Sequence, residues 1–248
     1  MIKVVILGTG NVASHFIKAF SKSKNAKVKQ IYNHNQKTLE KFSNFDTTTN
    51  LNNIQVADVY LICVKDDKVK DIAKAIQQPK AIIAHTSGSL PLLDTSCRDA
   101  VFYPLQTFTK DRKISFVGLP ICIETKQIED FEKLKDLATG LQAKVYNVNS
   151  LQRQNLHLAA VFVCNFVNHL YHIGHEICSE KDLSFDILKP LIQETAEKIK
   201  TENPKNSQTG PARRHDQSTI NRHIYQLEHS NYQEIYRYLT NSIQKTYE

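Results

Sequence analysis

Near the start of the chain, the run VVILGTGNVASHF places Gly8, Gly10 and Ala13 directly behind an apolar stretch and at the opening of an amphipathic one. No other feature limits the fold so tightly. A β-branched run closed by glycine at this spacing reads as strand, tight turn and helix, and the residue types are those a diphosphate-binding turn needs. Gly8 permits the sharp turn, Gly10 lets the backbone approach a pyrophosphate, and Ala13 lets helix and strand pack closely. The helix then offers the phosphates its free N–H groups and positive dipole end. Gly8, Thr9, Gly10, Asn11 and Val12 are therefore the candidate dinucleotide turn.

The chain beyond this turn fits that reading. Short β-branched runs at 3–7, 28–32, 58–64, 81–85, 100–103, 120–124 and 144–148 alternate with helical patterns at 11–23, 36–45, 66–77 and 126–139. That alternation predicts an α/β architecture with a Rossmann-type parallel sheet. After Asn149 the strand signal stops, and helices are expected at 151–179, 184–200, 218–228 and 231–245, with the Gly/Pro-bearing stretch 203–211 between the second and third. The expected organisation is a dinucleotide-binding domain over 1–149 and a helical substrate and dimerisation domain over 150–248.

The end of the second strand bears on the cofactor. An NAD site usually has a carboxylate there for the ribose hydroxyls. This chain has Gln30-Ile31-Tyr32-Asn33-His34-Asn35-Gln36-Lys37, with no acid at all. Asn33 suits a ribose or phosphate oxygen, and His34 or Lys37 suits the charge of a 2′-phosphate, which favours NADP over NAD; the alternative is that Asn33 and His34 are turn formers. At other strand ends, where ligands of open α/β sheets lie, Val64 and Ser87 are candidate cofactor contacts and Gln106 a candidate substrate contact. Asp66 or Asp67 reads as a helix N-cap.

The helix expected at 151–179 has an unusual polar face. His157, Asn165, Asn168, His172 and His175 fall within roughly 80° of arc at about 100° per residue. A solvated face in a chain rich in Lys and Glu should carry both, whereas neutral polar groups suit a sheltered cleft or an interface. His157 is the candidate general acid/base, Asn165 a substrate-orienting group and Arg153 an anion anchor. The competing reading is a polar interface or a set of internally satisfied histidines. His169, His172 and His175 fan too widely for a metal, and none is assigned. In QTGPARRHD, Arg213 and Arg214 are candidates for a substrate carboxylate or phosphate.

Composition narrows the partners. The chain of 248 residues is 41% hydrophobic and 23% charged, with a formal charge of +7. Its lysines are dispersed among acids, which reads as a solvated face, not a nucleic-acid surface. The opening residues read as a buried strand and not as a signal peptide. The longest apolar stretch, 156–167, is broken by His157 and Asn165, so no membrane span is expected and the location is cytoplasmic by default. Five cysteines without paired spacing indicate neither disulfides nor a zinc ribbon.

The motifs VILGTGNVA, HTSGS, YPLQTF, RQNLHLAAVFVCNFVNHL and TGPARRHD together resemble, over nearly the whole chain, a bacterial family with a Rossmann-like domain followed by a domain of unknown function. Its layout is similar to that of pyrroline-5-carboxylate reductases, deazaflavin-dependent NADP reductases and the 6-phosphogluconate dehydrogenase superfamily. The resemblance implies NADP in the first half and a homodimer formed by the helical half. The expected activity is hydride transfer to or from a small substrate. A non-catalytic dinucleotide sensor or scaffold and a reductase of a flavin or deazaflavin are the alternatives.

Overall fold

The computed structural model describes residues 1–95, 97–110, 112–228 and 230–248. The chain divides into two compact units, Met1–Phe162 and Val163–Glu248.

The first unit is built on an eight-stranded sheet of order β3-β2-β1-β4-β5-β6-β7-β8. Its strands are β1 (Ile2–Leu7), β2 (Ala26–Tyr32), β3 (Thr47–Thr48), β4 (Val59–Ile62), β5 (Ile82–His85), β6 (Arg98–Pro104), β7 (Pro120–Thr125) and β8 (Lys144–Asn147). The first six strands run parallel, β7 is antiparallel to β6, and β8 is parallel to β7. The order reverses between β1 and β4, the switch point where open α/β sheets receive ligands.

Strands covered on both faces must be apolar throughout. Val4 and Ile6 face one core layer with Phe16, Leu61, Phe102 and Leu134, while Val5 and Leu7 face another with Tyr60, Ile62, Val69 and Ile83. Helices α1 (Asn11–Phe20) and α4 (Ile128–Thr139) supply the first layer, and α3 (Asp66–Ala75) the second. The expected helix at 36–45 is shorter: α2 (Gln36–Leu39) continues as a 3-10 turn, Glu40–Phe42. The two-residue strand β3 is too brief to show a period in sequence.

A continuous helical run leads out of this unit. It comprises α5 (Ser150–Ala160), a π segment Val161–Phe166, and α6 (Val167–Ser179). The expected domain limit stood ahead of this run, at Ser150, whereas the compact units divide within it. The reason is that buried Arg153 on α5 pairs with Glu124 on β7, which ties the helix to the sheet. The run Ser150–Ser179, with a mean hydropathy of 1.2 over 18 residues, is by length and composition long and apolar enough to cross a membrane. That corrects the expectation that no stretch qualifies: neutral His and Asn interrupt an apolar run without lowering its average far enough.

In the second unit α6 is followed by α7 (Lys189–Lys198), α8 (Gln217–Gln226) and α9 (Tyr232–Thr246). His223 Nδ1 on α8 lies 2.9 Å from the Tyr236 hydroxyl on α9. Among its described residues the only buried apolar side chains are Ile173, Ala212 and Ile220.

Candidate active site

Gly8 and Gly10 differ in what holds them. Gly8 has φ +119°, and a β-carbon there would overlap the Cys63 carbonyl oxygen and stand 2.9 Å from its carbon. The fold itself demands glycine. Gly10, the N-cap of α1, has an ordinary φ of −70° and makes no side-chain capping bond. A β-carbon there would meet nothing within 4 Å. The space in front of the helix is open, and no acidic residue occupies the first turn. These residues fit a diphosphate: a helix start whose first N–H groups have no intrahelical partner, a positive helix end, and no side chain in the way.

Around this turn Asn33 Nδ2 donates to Thr9 Oγ1 at 2.8 Å, Thr9 Oγ1 donates to Thr38 at 3.0 Å, and Asn33 Oδ1 accepts from Asn35 N–H at 2.9 Å. Asn33 thus organises the turn instead of reaching out to a ribose. His34 and Lys37 stand exposed. Asn11 Nδ2 donates to the Phe108 carbonyl at 2.9 Å, Val12 packs partly into the core, and Val64 is half-buried beside Gly8.

At the carboxyl ends of β5 and β6 a second cluster forms. The Tyr103 hydroxyl shares a 3.1 Å hydrogen bond with His157 Nδ1, and the rings meet edge to face. Gly88 lies beneath both: a β-carbon would come within 2.8 Å of the His157 ring and of the Tyr103 ring. Burial, and then Cys122 nearby, push the Tyr103 hydroxyl up to about 12. The turn carrying Gly88 is held from inside. Buried His85 faces the Pro91 carbonyl through Nε2 at 3.1 Å and accepts from Ser87 N–H through Nδ1 at 3.2 Å. Burial above all, and then the Arg153 charge, push its imidazole down to about 4. It is a neutral structural histidine.

Three expectations meet a different arrangement here. Ser87 Oγ donates to Asp66 Oδ2 at 3.0 Å and accepts from Leu90 N–H at 3.1 Å, and Ser89 also donates to Asp66. Ser87, expected as a cofactor contact, thus uses its hydroxyl to shape the turn. Asp66 tethers the serines and does not cap α3, whose N-cap is Lys65. Arg153, expected as an anion anchor, is fully buried. Its guanidinium pairs with Glu124 and donates to the Leu90 carbonyl. Ser150 reinforces the joint, donating to Glu124 through N–H at 2.8 Å and accepting from Leu92 N–H at 2.8 Å. With its charge already neutralised, Arg153 positions α5 and with it His157, one turn further on.

Gln106 is not part of this cluster. Gln106 Oε1 accepts from its own neighbour Thr107 N–H at 2.8 Å. Asn165, in the π segment, and Arg213 and Arg214 are exposed in the second unit, where Arg213 stacks on Tyr247 at 4.3 Å. Among the described residues no group of three His, Cys, Asp or Glu side chains is placed to hold a metal. Sequence reasoning gave Tyr103 and Gly88 no role beyond their place in loops at the carboxyl edge, and it missed Glu124. The glycine inside HTSGS was a usable signal, since a buried glycine in a polar turn marks a close approach.

The reversed strand order and the open glycine turn are those of a dinucleotide-dependent oxidoreductase of the Rossmann class. Residues 3–88 match the family described as NADP oxidoreductase, coenzyme F420-dependent. The chain belongs to the family of the domain of unknown function DUF2520, which matches residues 119–243. A crystal structure from Bacteroides fragilis, provisionally described as an NADP oxidoreductase, is 35% identical with TM-score 0.91 over 98% of both chains. The fold is shared at low identity with two further proteins. A pyrroline-5-carboxylate reductase of Streptococcus pyogenes is 12% identical, with TM-score 0.61 over 99% of this chain and 98% of that one. An imine reductase of Myxococcus stipitatus, in complex with NADP+, is 12% identical, with TM-score 0.67 over 98% and 92%. No curated protein matches the chain.

Proposed function

We propose that the chain is an NADP-dependent reductase of a small substrate bearing a C=O or C=N bond, with Tyr103 and His157 delivering the proton. The observation that carries this reading is the Tyr103–His157 hydrogen bond, closed over Gly88 at the carboxyl edge of the sheet that bears the open glycine turn. A bound dinucleotide would supply the hydride; the chain's own groups do the rest. The first N–H groups of α1 hold the diphosphate. Exposed His34 and Lys37 meet the 2′-phosphate, with no carboxylate nearby in sequence to repel it. Tyr103 carries its proton through the neutral range, as any phenol does, and burial pushes its hydroxyl further up, to about 12, so it gives that proton up only as a substrate oxygen or nitrogen gains charge. As Tyr103 releases that proton, the proton on His157 Nδ1 replaces it. Arg213 and Arg214 are the candidates for a substrate carboxylate or phosphate. Such a reductase belongs in the cytoplasm, where reduced dinucleotide is available.

The test is NADPH consumption across a panel of ketoacids, imines and aldehydes, with calorimetric titration of NADPH in parallel. Tyr103→Phe and His157→Ala are expected to lower kcat by roughly 100-fold or more while leaving NADPH affinity unchanged. Binding without consumption of any substrate would point instead to a non-catalytic dinucleotide sensor.

The second unit supports a homodimer. The three buried apolar side chains among its described residues are too few to offset the ordering of its helices, while Val163, Leu170, Leu183, Ile187, Leu191 and Ile199 are exposed. A second copy would present the same helical surfaces in an isologous contact. Sedimentation equilibrium should give a dimer at micromolar concentration. A monomer that partitions onto lipid vesicles would replace this reading with a membrane one.

A further inference from the structure

The first unit contains a cleft of about 780 Å³ whose lining the reductase reading does not use. Small-molecule sites commonly span about 300–1,000 Å³. Five basic side chains converge on it: Lys18 from α1, Lys22 just after it, and Lys110, Arg112 and Lys113 from the loop that precedes β7. Among the described residues the lining has no carboxylate; Asp111 lies outside them. None of the five pairs with a described acid, although Lys126, Lys135, Lys189 and Lys200 elsewhere all do. The lining also has an apolar part, Ile114, Phe116 and Leu141.

Described residues on either side of Asp111 anchor this stretch to α1. Buried His15 on α1 reaches the Asn11 carbonyl at 2.8 Å and the Arg112 carbonyl at 2.9 Å. Phe108 packs edge-on against His15 and Phe116 lies tilted against Phe16, with centroids 5.1 and 5.2 Å apart. Two separated segments thus bring like charges to the lining of one cleft. That arrangement costs the empty protein repulsion, which an anion in the cleft would remove.

We propose that this cleft is a second ligand site, distinct from the dinucleotide turn, for a small molecule carrying two or more phosphate groups. The lysines and Arg112 hold the phosphates as point charges and planar donors, and the apolar part of the lining receives the ligand's non-phosphate part. Affinity therefore falls as salt rises.

The test is calorimetric titration of the full chain with inorganic tripolyphosphate, with sulfate and a single-stranded oligonucleotide as controls. The triple variant Lys18→Gln, Arg112→Gln, Lys113→Gln changes only exposed side chains. It should weaken tripolyphosphate binding by roughly tenfold or more without changing melting temperature or NADPH affinity. Gly10→Val, which fills the dinucleotide turn, should leave tripolyphosphate binding unchanged. Retained affinity in the triple variant, loss in Gly10→Val, or sulfate binding as tight as tripolyphosphate would each overturn the proposal. So would oligonucleotide binding without tripolyphosphate binding, which would make the cleft a nucleic-acid surface.

Discussion

Gly8 and Gly10 stand two residues apart in one motif, yet adding a side chain to each should have opposite consequences. At Gly8 a side chain must adopt φ +119°, at a cost of about 1–2 kcal/mol for the wrong hand. It must also displace the Cys63 carbonyl, which adds about 1–3 kcal/mol of overpacking against a buried backbone. The sum, about 2–5 kcal/mol, corresponds to a melting temperature lower by roughly 4–20 °C for a chain of this size. At Gly10, φ −70° suits any residue and the space is open. The lost chain entropy of the unfolded state, about 0.4–1 kcal/mol, offsets a slightly poorer N-cap. Stability should therefore stay within about 1 kcal/mol. The β-carbon nevertheless stands where the diphosphate approaches. A charge-assisted hydrogen bond to backbone N–H contributes about 1.5–3 kcal/mol, so losing even one weakens binding roughly tenfold or more. Scanning calorimetry of Gly8→Ala and NADPH titration of Gly10→Val separate the two effects. The chain lacks tryptophan, so the cofactor's own fluorescence provides a second readout. NADPH affinity of Gly10→Val within twofold of the unaltered chain would refute the assignment of this turn.

Three further outcomes concern the second cluster. Gly88→Ala should separate Tyr103 from His157, lowering kcat more than it lowers melting temperature, as turnover assays beside calorimetry would show. Arg153→Met leaves the Glu124 charge with only Ser150 as partner among the described residues and takes the guanidinium from the Leu90 carbonyl, and should cost about 3–5 kcal/mol; adding Glu124→Leu should recover most of it in a double-mutant cycle by denaturant titration. His85, pushed down to about 4 in the fold, protonates more readily when unfolded. Its contribution, roughly 3 kcal/mol, is present above about pH 6.5 and lost as pH falls through about 4. His85→Gln should flatten the fall in unfolding free energy between pH 7 and 4.5, and an unchanged slope would show that His85 is not the responsible group.

Much of the first unit was legible because its signals are local. The glycine spacing, the continuous apolar strands and the loss of strand pattern after Asn149 each depend on residues a few positions apart. The site was less legible because its logic depends on residues far apart in sequence. Arg153 looks like an anion anchor until Glu124, 29 positions away, is seen to neutralise it. Tyr103 looks like an ordinary strand end until His157 reaches it across Gly88. Asn33 and Ser87 were drawn to the cofactor by their position at strand ends, but their hydrogen bonds turn inward, to Thr9 and Asp66. Polar residue types show that a partner is required; only the fold shows which one.

Arg153 and His157 sit one helical turn apart, so the charge sunk into the sheet fixes how α5 is rotated about its own axis. The imidazole is thereby aimed by a mount that takes no part in choosing a substrate. Positions on the remaining faces of that helix can be exchanged without re-aiming it, and a library that spares Arg153, Glu124 and Gly88 is where altered substrate preference should be sought.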